Sequence, residues 1–257
     1  MWGSLIMWDI KAIVVISYIT IMGILLGSFF NVMVLRALKG EGWVKGKSHC
    51  DKCGHTLHTL DLIPLFSYLF LRGKCRYCKS PISYTHILSE VMFGVAFLIV
   101  SLTCNSDILT FIVNIIVVTV LGINVISDLK ERVTLTLTIY LGSFIIVILR
   151  FLTILNNFGW HLSLIYIIKA LLLGLTLCIV SKLLQGKMGD GDFDILFMFY
   201  VANGMNYVFY PMFLGSVVGL IVLIPSMVLG KTNRKSELPF VPILFIGYLL
   251  SLVFIGG

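Results

Sequence analysis

Residues 12–35 read AIVVISYITIMGILLGSFFNVMVL and contain no charged side chain. A helix needs about 20 apolar residues to cross about 30 Å of hydrocarbon, so this run predicts a membrane span. The whole chain has the same character, since 59% of its 257 residues are hydrophobic, 12% are charged and the mean hydropathy is +1.04. A soluble domain has about 25% charged residues. The composition excludes a soluble enzyme, a disordered chain and a fibrous protein, and predicts an all-α polytopic membrane protein.

Polar breaks divide the apolar sequence into eight predicted spans. The first is expected to be a retained helix rather than a signal peptide, because no basic segment precedes it and no small-residue cleavage site follows it. The predicted organisation is a first transmembrane helix in 1–35, a small polar domain in 36–84 and a transmembrane domain in 85–257. The later spans are predicted at 85–104, 108–127, 133–155, 161–184, two within 195–230 that are divided at 203–206, and 238–257.

The basic residues are distributed unevenly between the loops. Of 19 Lys and Arg residues, 16 lie in the alternate loops 36–84, 128–132, 182–192 and 231–237. Loops rich in Lys and Arg remain in the cytoplasm, so these four loops are predicted to be cytoplasmic and both termini to lie outside. This asymmetry accounts for most of the formal net charge of +7 and requires no nucleic-acid partner.

Two CxxC pairs lie in the polar domain. Cys50 and Cys53 are separated from Cys75 and Cys78 by 21 residues, a spacing typical of a four-thiolate tetrahedral zinc site. Four cysteines leave no open position for water, so the predicted role of Zn²⁺ is structural. Free or redox-active thiols are one alternative and a structural disulfide is another, although cytoplasmic thiols stay reduced.

Carboxylates near the ends of apolar helices are costly and call for a partner or a function. Asp128 ends the third span, and Asp192 opens the sixth within Gly189-Asp190-Gly191-Asp192. Both fall at the predicted cytoplasmic face, where two carboxylates could share one proton and act as general base and general acid. A solvated helix cap is the alternative for each aspartate.

Two other kinds of protein are compatible with parts of this pattern. A polytopic carrier could also place Asp and Glu at helix ends, but it would favour polar residues near the bilayer midplane in matched halves. A non-enzymatic membrane adaptor with a zinc module would explain 36–84 but neither Asp128 nor the GDGD motif.

Several short sequence motifs are distributed along the chain. They are GSFFNV at 27–32, SHCDKCGH at 48–55, DLIPLFSYL at 61–69, RGKCRYC at 72–78, PIS at 81–83, SE at 89–90 and GDGD at 189–192. Together they resemble the type IV prepilin peptidases, which are polytopic aspartyl peptidases with a GxGD motif. The chain has Val133-Thr134 where that family often has Ile-Pro, and Asp194 where it often has Lys.

The resemblance implies two catalytic aspartates, Asp128 and Asp192, supported by Gly189 and Gly191. It implies an aspartic endopeptidase of the bacterial inner membrane that removes the leader of type IV prepilins or pseudopilins at the cytoplasmic face. Members with the four-cysteine domain often also N-methylate the new N-terminus with S-adenosylmethionine, and Glu90 and Asn31 are the residues expected to contribute here. The expected partners are the prepilin substrate and the lipid bilayer.

Overall fold

The computed structural model describes residues 2–40, 48–50, 52–103, 107–183, 190–228 and 239–255. Within these ranges the chain is helical, apart from loops and two isolated β-bridges near the cysteines. It divides into two compact units, an N-terminal unit of Met1–Leu102 and a C-terminal unit of Thr103–Gly257.

The N-terminal unit combines two membrane helices with the cysteine region between them. Its elements are α1 (Trp2–Leu38), a 3₁₀ turn (Thr59–Leu62), the short helix α2 (Phe66–Phe70) and α3 (Tyr84–Thr103). Helices α1 and α3 approach closely because glycines face the neighbouring helix. A methyl group added at Gly27 would lie 2.6 Å from the carbonyl oxygen of Ser89, and one added at Gly94 would lie 2.7 Å from Cγ1 of Ile24. Small residues permit such contact between membrane helices.

The described part of the C-terminal unit forms a bundle of six helices, in which α4 packs against α5, α7 and α9, and α8 packs along α9. They are α4 (Ile108–Glu131), α5 (Thr136–Phe158), α6 (Trp160–Leu183), α7 (Asp190–Asn203), α8 (Asn206–Val228) and α9 (Phe240–Ile255).

The predicted all-α membrane architecture is confirmed for the described residues. Six of these helices, which are α1, α3, α4, α5, α6 and α8, are long and apolar enough to cross a membrane. The other two predicted spans are shorter. Helix α7 has 14 residues and α9 has 16, so they extend about 21 Å and 24 Å at 1.5 Å per residue.

The third span extends further than its hydrophobic run suggested. Residues 128–132 were expected to be a charged break, but α4 continues to Glu131 and Asp128 lies within its last turns. The helix ends because Arg132 adopts a left-handed conformation, with φ 55°, and its N–H donates to the carbonyl oxygen of Asp128 at 3.0 Å. The fourth helix correspondingly begins at Thr136 rather than at 133.

The C-terminal end of α7 is paired with side chains from neighbouring helices. Arg150 of α5 donates from Nε to the carbonyl oxygen of Ala202 at 2.7 Å and from Nη2 to Oδ1 of Asn203 at 2.9 Å. Tyr166 of α6 donates to the carbonyl oxygen of Val201 at 3.0 Å. The last carbonyls of a helix have no partner within it and are costly to bury unpaired. These bonds allow a helix shorter than the bilayer to end inside the protein.

A buried hydrogen-bonded triad joins α4, α7 and α9. The Tyr248 hydroxyl donates to Oδ1 of Asn114 at 2.6 Å, and Nδ2 of Asn203 donates to the same oxygen at 2.7 Å. The Tyr248 ring also stacks on Phe199, with 5.0 Å between the ring centroids. The triad therefore fixes α7 and α9 against α4.

The packing of α8 against α9 depends on Gly247, and this gives a test of the fold. A Cβ at this position would collide with the backbone of Pro211 and Gly215, whereas a Cβ at Gly219 would meet only the side chain of Ile243, at 3.4 Å. Gly247→Ala should therefore lower the free energy of unfolding by about 1–3 kcal/mol, as expected for overpacking. Thermal unfolding in detergent measures the change.

Gly219→Ala is the matched control, and we expect it to leave the unfolding temperature close to that of the wild type. Equal stability of the Gly247→Ala and Gly219→Ala variants would contradict the close backbone packing of α8 on α9.

Candidate functional site

The two CxxC pairs form a pair of equivalent turns. In the first, the N–H of Cys50 donates to the carbonyl of His55 and the N–H of Gly54 donates back to Cys50. In the second, Cys75 is bonded in the same way to the carbonyl of Ser80 and to the N–H of Lys79. The residue four positions after the first cysteine is left-handed in both turns, with φ 69° at Gly54 and 59° at Lys79. Each cysteine pair is thus followed by a tight turn.

These turns bring the four cysteine sulfurs together. All four Sγ atoms lie within 4.8 Å of one another, and those of Cys50 and Cys78 are 3.8 Å apart. A tetrahedral site with Zn–S bonds of about 2.3 Å places its sulfurs about 3.8 Å apart. None of the four is in a disulfide. The geometry fits a four-coordinate metal ion, as the spacing predicted.

The local electrostatics make the thiols unequal. The backbone N–H groups of Cys53 and Lys52 face the Cys50 sulfur and lower the pKa of this thiol to about 6. The pKa of Cys53 is raised to about 11, because desolvation and the sulfurs of Cys50 and Cys78 outweigh the favourable N–H of His55. A metal ion needs all four as thiolates, so its affinity should fall as the pH falls.

Glu90 lies in α3 and links the parts of the N-terminal unit. Its side chain is buried, with 6% of the residue exposed. Oε1 accepts a hydrogen bond from the Ser28 hydroxyl of α1 at 2.7 Å, and Oε2 accepts one from the N–H of Leu65, just before α2, at 2.7 Å. The same carboxylate therefore bonds to α1 and to the cysteine region.

Asn31 lies one turn of α1 beyond Ser28 and is fully buried. Its Nδ2 lies 2.7 Å from Nδ1 of His86 on α3. Among the described residues, its Oδ1 has no hydrogen-bond partner. A buried polar atom without a partner is costly, and such atoms mark strain or a missing ligand.

A cavity of about 260 Å³ opens between these helices and the cysteine turns. Its wall carries both signs of charge, since Glu90 and Asp61 line it together with Arg36 and Arg76. Asp61 accepts a hydrogen bond from Nε of Arg76 at 2.6 Å, which ties the 3₁₀ turn to the second cysteine turn. A cavity of this kind can hold a polar ligand that carries both charges.

Asp128 occupies a buried position in the C-terminal unit, with 8% of the residue exposed. Its Oδ2 accepts a hydrogen bond at 3.1 Å from the backbone N–H of Val241, in the first turn of α9. The adjacent Ser127 hydroxyl is buried and has no partner among the described residues. The bond from Val241 thus orients the Asp128 carboxylate.

Asp192 lies in the first turn of α7 and is partly exposed. The preceding Gly191 lies directly against Thr134, and a Cβ there would also be 2.8 Å from Thr134 Cβ. The second glycine of the GDGD motif is therefore needed for close contact between α7 and the α4–α5 turn. Gly189, the first glycine, lies outside the described residues.

The structure places both predicted aspartates at the same end of the helical bundle. Toward the opposite end, Asn203 of α7 donates a hydrogen bond to Asn114 of α4. Asn114 lies about 21 Å from Asp128 along α4, and Asn203 lies about 16 Å from Asp192 along α7. Helices α4 and α7 are thus antiparallel, and Gly191 contacts Thr134 near the Asp128 end.

Sequence reasoning did not find three contributors, two near the aspartates of the C-terminal unit and one beside Asn31 in the N-terminal unit. Val241 acts through its backbone N–H, which leaves no signature in the residue type. Thr134 was recognised only as a departure from a motif, and its contact with Gly191 becomes visible only when α7 is in place. His86 lies in an apolar span, and its pairing with Asn31 could be suspected only from the two polar residues in neighbouring helices.

Comparison with known proteins gives matches along most of the chain. Residues 21–104 match the sequence model of the bacterial peptidase A24 N-terminal domain. A Bacillus subtilis protein named prepilin leader peptidase/N-methyltransferase is 22% identical over 93% of this chain and 94% of its own length. A Neisseria gonorrhoeae protein of the same name is 29% identical over 79% of each chain.

A third relative, from Myxococcus xanthus, has the same name and is 39% identical over 80 residues, which are 31% of this chain and 24% of that protein. No solved structure matches the chain. The domain match covers α3, the cysteine turns and the C-terminal half of α1, and the long matches extend through the helices that carry the two aspartates. On these matches, the chain is similar over most of its length to bacterial proteins named prepilin leader peptidase/N-methyltransferase.

Proposed function

We propose that this protein is a membrane aspartic endopeptidase that removes the leader peptide of type IV prepilins or pseudopilins, with Asp128 and Asp192 as its catalytic pair. The observation that carries the proposal is the placement of these two carboxylates at one end of the bundle, on antiparallel helices joined at the Gly191–Thr134 contact. The names of the relatives support the substrate class.

Hydrolysis of a peptide bond by two carboxylates requires one ionised and one protonated group. The ionised carboxylate takes a proton from water, which attacks the scissile carbonyl carbon. The protonated carboxyl gives its proton to the carbonyl oxygen, and the proton removed from water is passed to the leaving amine. The N–H of Val241 holds Asp128 in a fixed orientation for this exchange.

The location of the site suits a substrate that is itself a membrane helix. The four segments predicted as loops, which hold 16 of the 19 Lys and Arg residues, include 128–132 and 182–192, and these two contain Asp128 and Asp192. The positive-inside rule places these loops in the cytoplasm and both termini outside. The scissile bond of a laterally entering prepilin would then meet the aspartates at the cytoplasmic face of the bacterial inner membrane.

A second activity, N-methylation of the newly exposed residue, is assigned to the N-terminal unit. The cavity offers a buried carboxylate, Glu90, beside cationic Arg36 and Arg76, and these groups match the charges of an amino-acid ligand. Asn31, with its unpartnered Oδ1, lies on α1, and His86 lies on α3, the helix that also carries Glu90. S-adenosylmethionine supplies an activated methyl group when bound. Glu90 would hold the substrate's terminal ammonium or accept its proton.

The four cysteines are proposed to hold a structural Zn²⁺. Four thiolates fill a tetrahedral coordination sphere and leave no position for a reacting water. The ion would join the two cysteine turns, which the described residues otherwise connect through contacts such as that between the His55 and Tyr77 rings. A small polar region with little apolar core gains folding energy from such a link.

Cleavage of a prepilin by the purified protein tests the catalytic pair. Asp128→Asn and Asp192→Asn should each lower the cleavage rate by about 10²–10⁴-fold or more, because each removes a group that must exchange a proton. Gel mobility or mass spectrometry of the prepilin measures the rate.

Asp107→Asn is the matched control, since Asp107 caps the opposite end of α4 and Asn is an equally good cap. It should leave cleavage close to the wild-type rate. Full cleavage by Asp192→Asn would show that the GDGD motif does not supply the second carboxylate.

The methylation assignment predicts that the two activities can be separated. Glu90→Gln should retain leader cleavage but reduce the methylated fraction of the product at least about tenfold, because the charge that holds or deprotonates the amine is lost. Mass spectrometry of the new N-terminus gives both numbers from one sample.

The comparison variant is Glu131→Gln, at the exposed end of α4, which should change neither activity. A Glu90→Gln protein that methylates at the wild-type rate would remove Glu90 from this role.

Metal analysis tests the cysteine site. The wild-type protein should hold about one zinc per chain, and Cys75→Ser should lose it, because three thiolates bind zinc far less tightly than four. Cys178→Ser, which alters an exposed cysteine of α6, should retain the full zinc content. Zinc bound equally by the wild type and by Cys75→Ser would refute the four-thiolate site.

A further inference from the structure

An apolar surface lies on the cysteine region, outside the membrane helices. Leu60 is 65% exposed, Phe66 is 62% exposed, Leu69 is 66% exposed and Phe70 is 84% exposed. They belong to the 3₁₀ turn and α2, within eleven consecutive residues that we call the interfacial segment, 60–70. A cluster of large exposed apolar side chains marks a protein or membrane contact rather than a water-facing surface.

The hydrogen bonds of Glu90 set the level of this segment along the membrane helices. The N–H of Leu65 donates to Oε2 of Glu90. Glu90 lies six residues after Tyr84, the first residue of α3, which is about 9 Å along the helix. Ser28, bonded to the other oxygen, is about 15 Å before the end of α1 at Leu38. Leu65, in the middle of the segment, therefore lies at a level within the length of both membrane helices.

The backbone enters and leaves α2 through uncommon conformations. Leu65 has φ 59° and Arg72 has φ 51°, values that are unfavourable for residues with a side chain. The bond from Leu65 to Glu90 holds the first of these in place. Both conformations cost free energy, and the helix that lies between them carries the exposed side chains of Phe66, Leu69 and Phe70.

The charges next to the segment complement an anionic lipid surface. Arg72 and Lys74 directly follow α2, and both are exposed. Apolar side chains adjacent to Lys and Arg are the pattern of elements that lie in the plane of a bilayer, where they reach about 5–10 Å below the headgroups. Basic residues near an anionic leaflet add to this attraction.

We propose that the interfacial segment inserts into the membrane surface beside α1 and α3, with Phe66, Leu69 and Phe70 among the lipid acyl chains. The same segment supplies Leu62, Ser67 and Tyr68 to the cavity wall. The cavity is thereby held at the membrane surface, at the level where the end of a membrane-anchored helix emerges. The proposal does not depend on the catalytic assignments and can fail or hold independently of them.

Quenching by brominated lipids tests the insertion. The full-length Phe70→Trp protein is placed in vesicles of phosphatidylcholine and phosphatidylglycerol, with and without bromine on the acyl chains. Contact with the chains should reduce the emission added by the new tryptophan about twofold, given the depth expected for an interfacial element. Leu69→Trp is the second site, in case Phe70→Trp does not fold.

Thr56→Trp is the control, because Thr56 is exposed on the first cysteine turn and outside the segment. Its emission should be unaffected by bromine and quenched by aqueous iodide. The proposal is overturned if both segment tryptophans behave like the control. It is equally overturned if they are shielded from iodide only when a prepilin is added, since the surface would then bind protein and not lipid.

Discussion

A polar group that is left without a hydrogen-bond partner in hydrocarbon costs free energy, and this cost governs how the helices of this protein are arranged. Arg150 of α5 pairs with the last carbonyls of α7, and the N–H of Val241 pairs with the Asp128 carboxylate. In the N-terminal unit, the N–H of Leu65 pairs with Glu90. Each bond joins elements that are distant in sequence, so the bonds that satisfy buried polar groups are also those that hold the helices in register.

The short helix α7 shows how this requirement shapes the candidate peptidase site. A helix of about 21 Å cannot cross the bilayer, so its C-terminal carbonyls must find partners inside the protein. Arg150 and Tyr166 supply them, and the Asn114–Asn203 bond ties that end to α4. Anchored in this way, α7 presents its other end, which carries Asp192, at the level where α4 ends. Paired carboxylates need such rigid positioning because proton transfer is sensitive to small displacements.

Several particulars of the fold and site followed from residue patterns. Among the described residues, the apolar runs located eight helices, of which α7 and α9 are shorter than a membrane span. The CxxC spacing located a metal-binding cluster, because one turn can aim two sulfurs at one point. Hydropathy could not reveal that α4 continues past Asp128, since its charged last turn resembles a loop and the helix ends only at the left-handed Arg132. Nor could it assign a partner to Asp128, because a backbone N–H is present at every residue except proline.

The amino-acid sequence by itself determined that this is a helical membrane protein with a four-cysteine cluster, and it singled out Asp128, Asp192 and Glu90 as candidate functional carboxylates. These are local properties, since hydrophobicity and turn spacing act over a few residues. Only the tertiary structure decided that Gly191 meets Thr134, that Val241 orients Asp128, and that large apolar side chains of α2 are exposed. Those outcomes depend on close packing between distant segments, where a glycine or a single hydrogen bond decides which surfaces can meet.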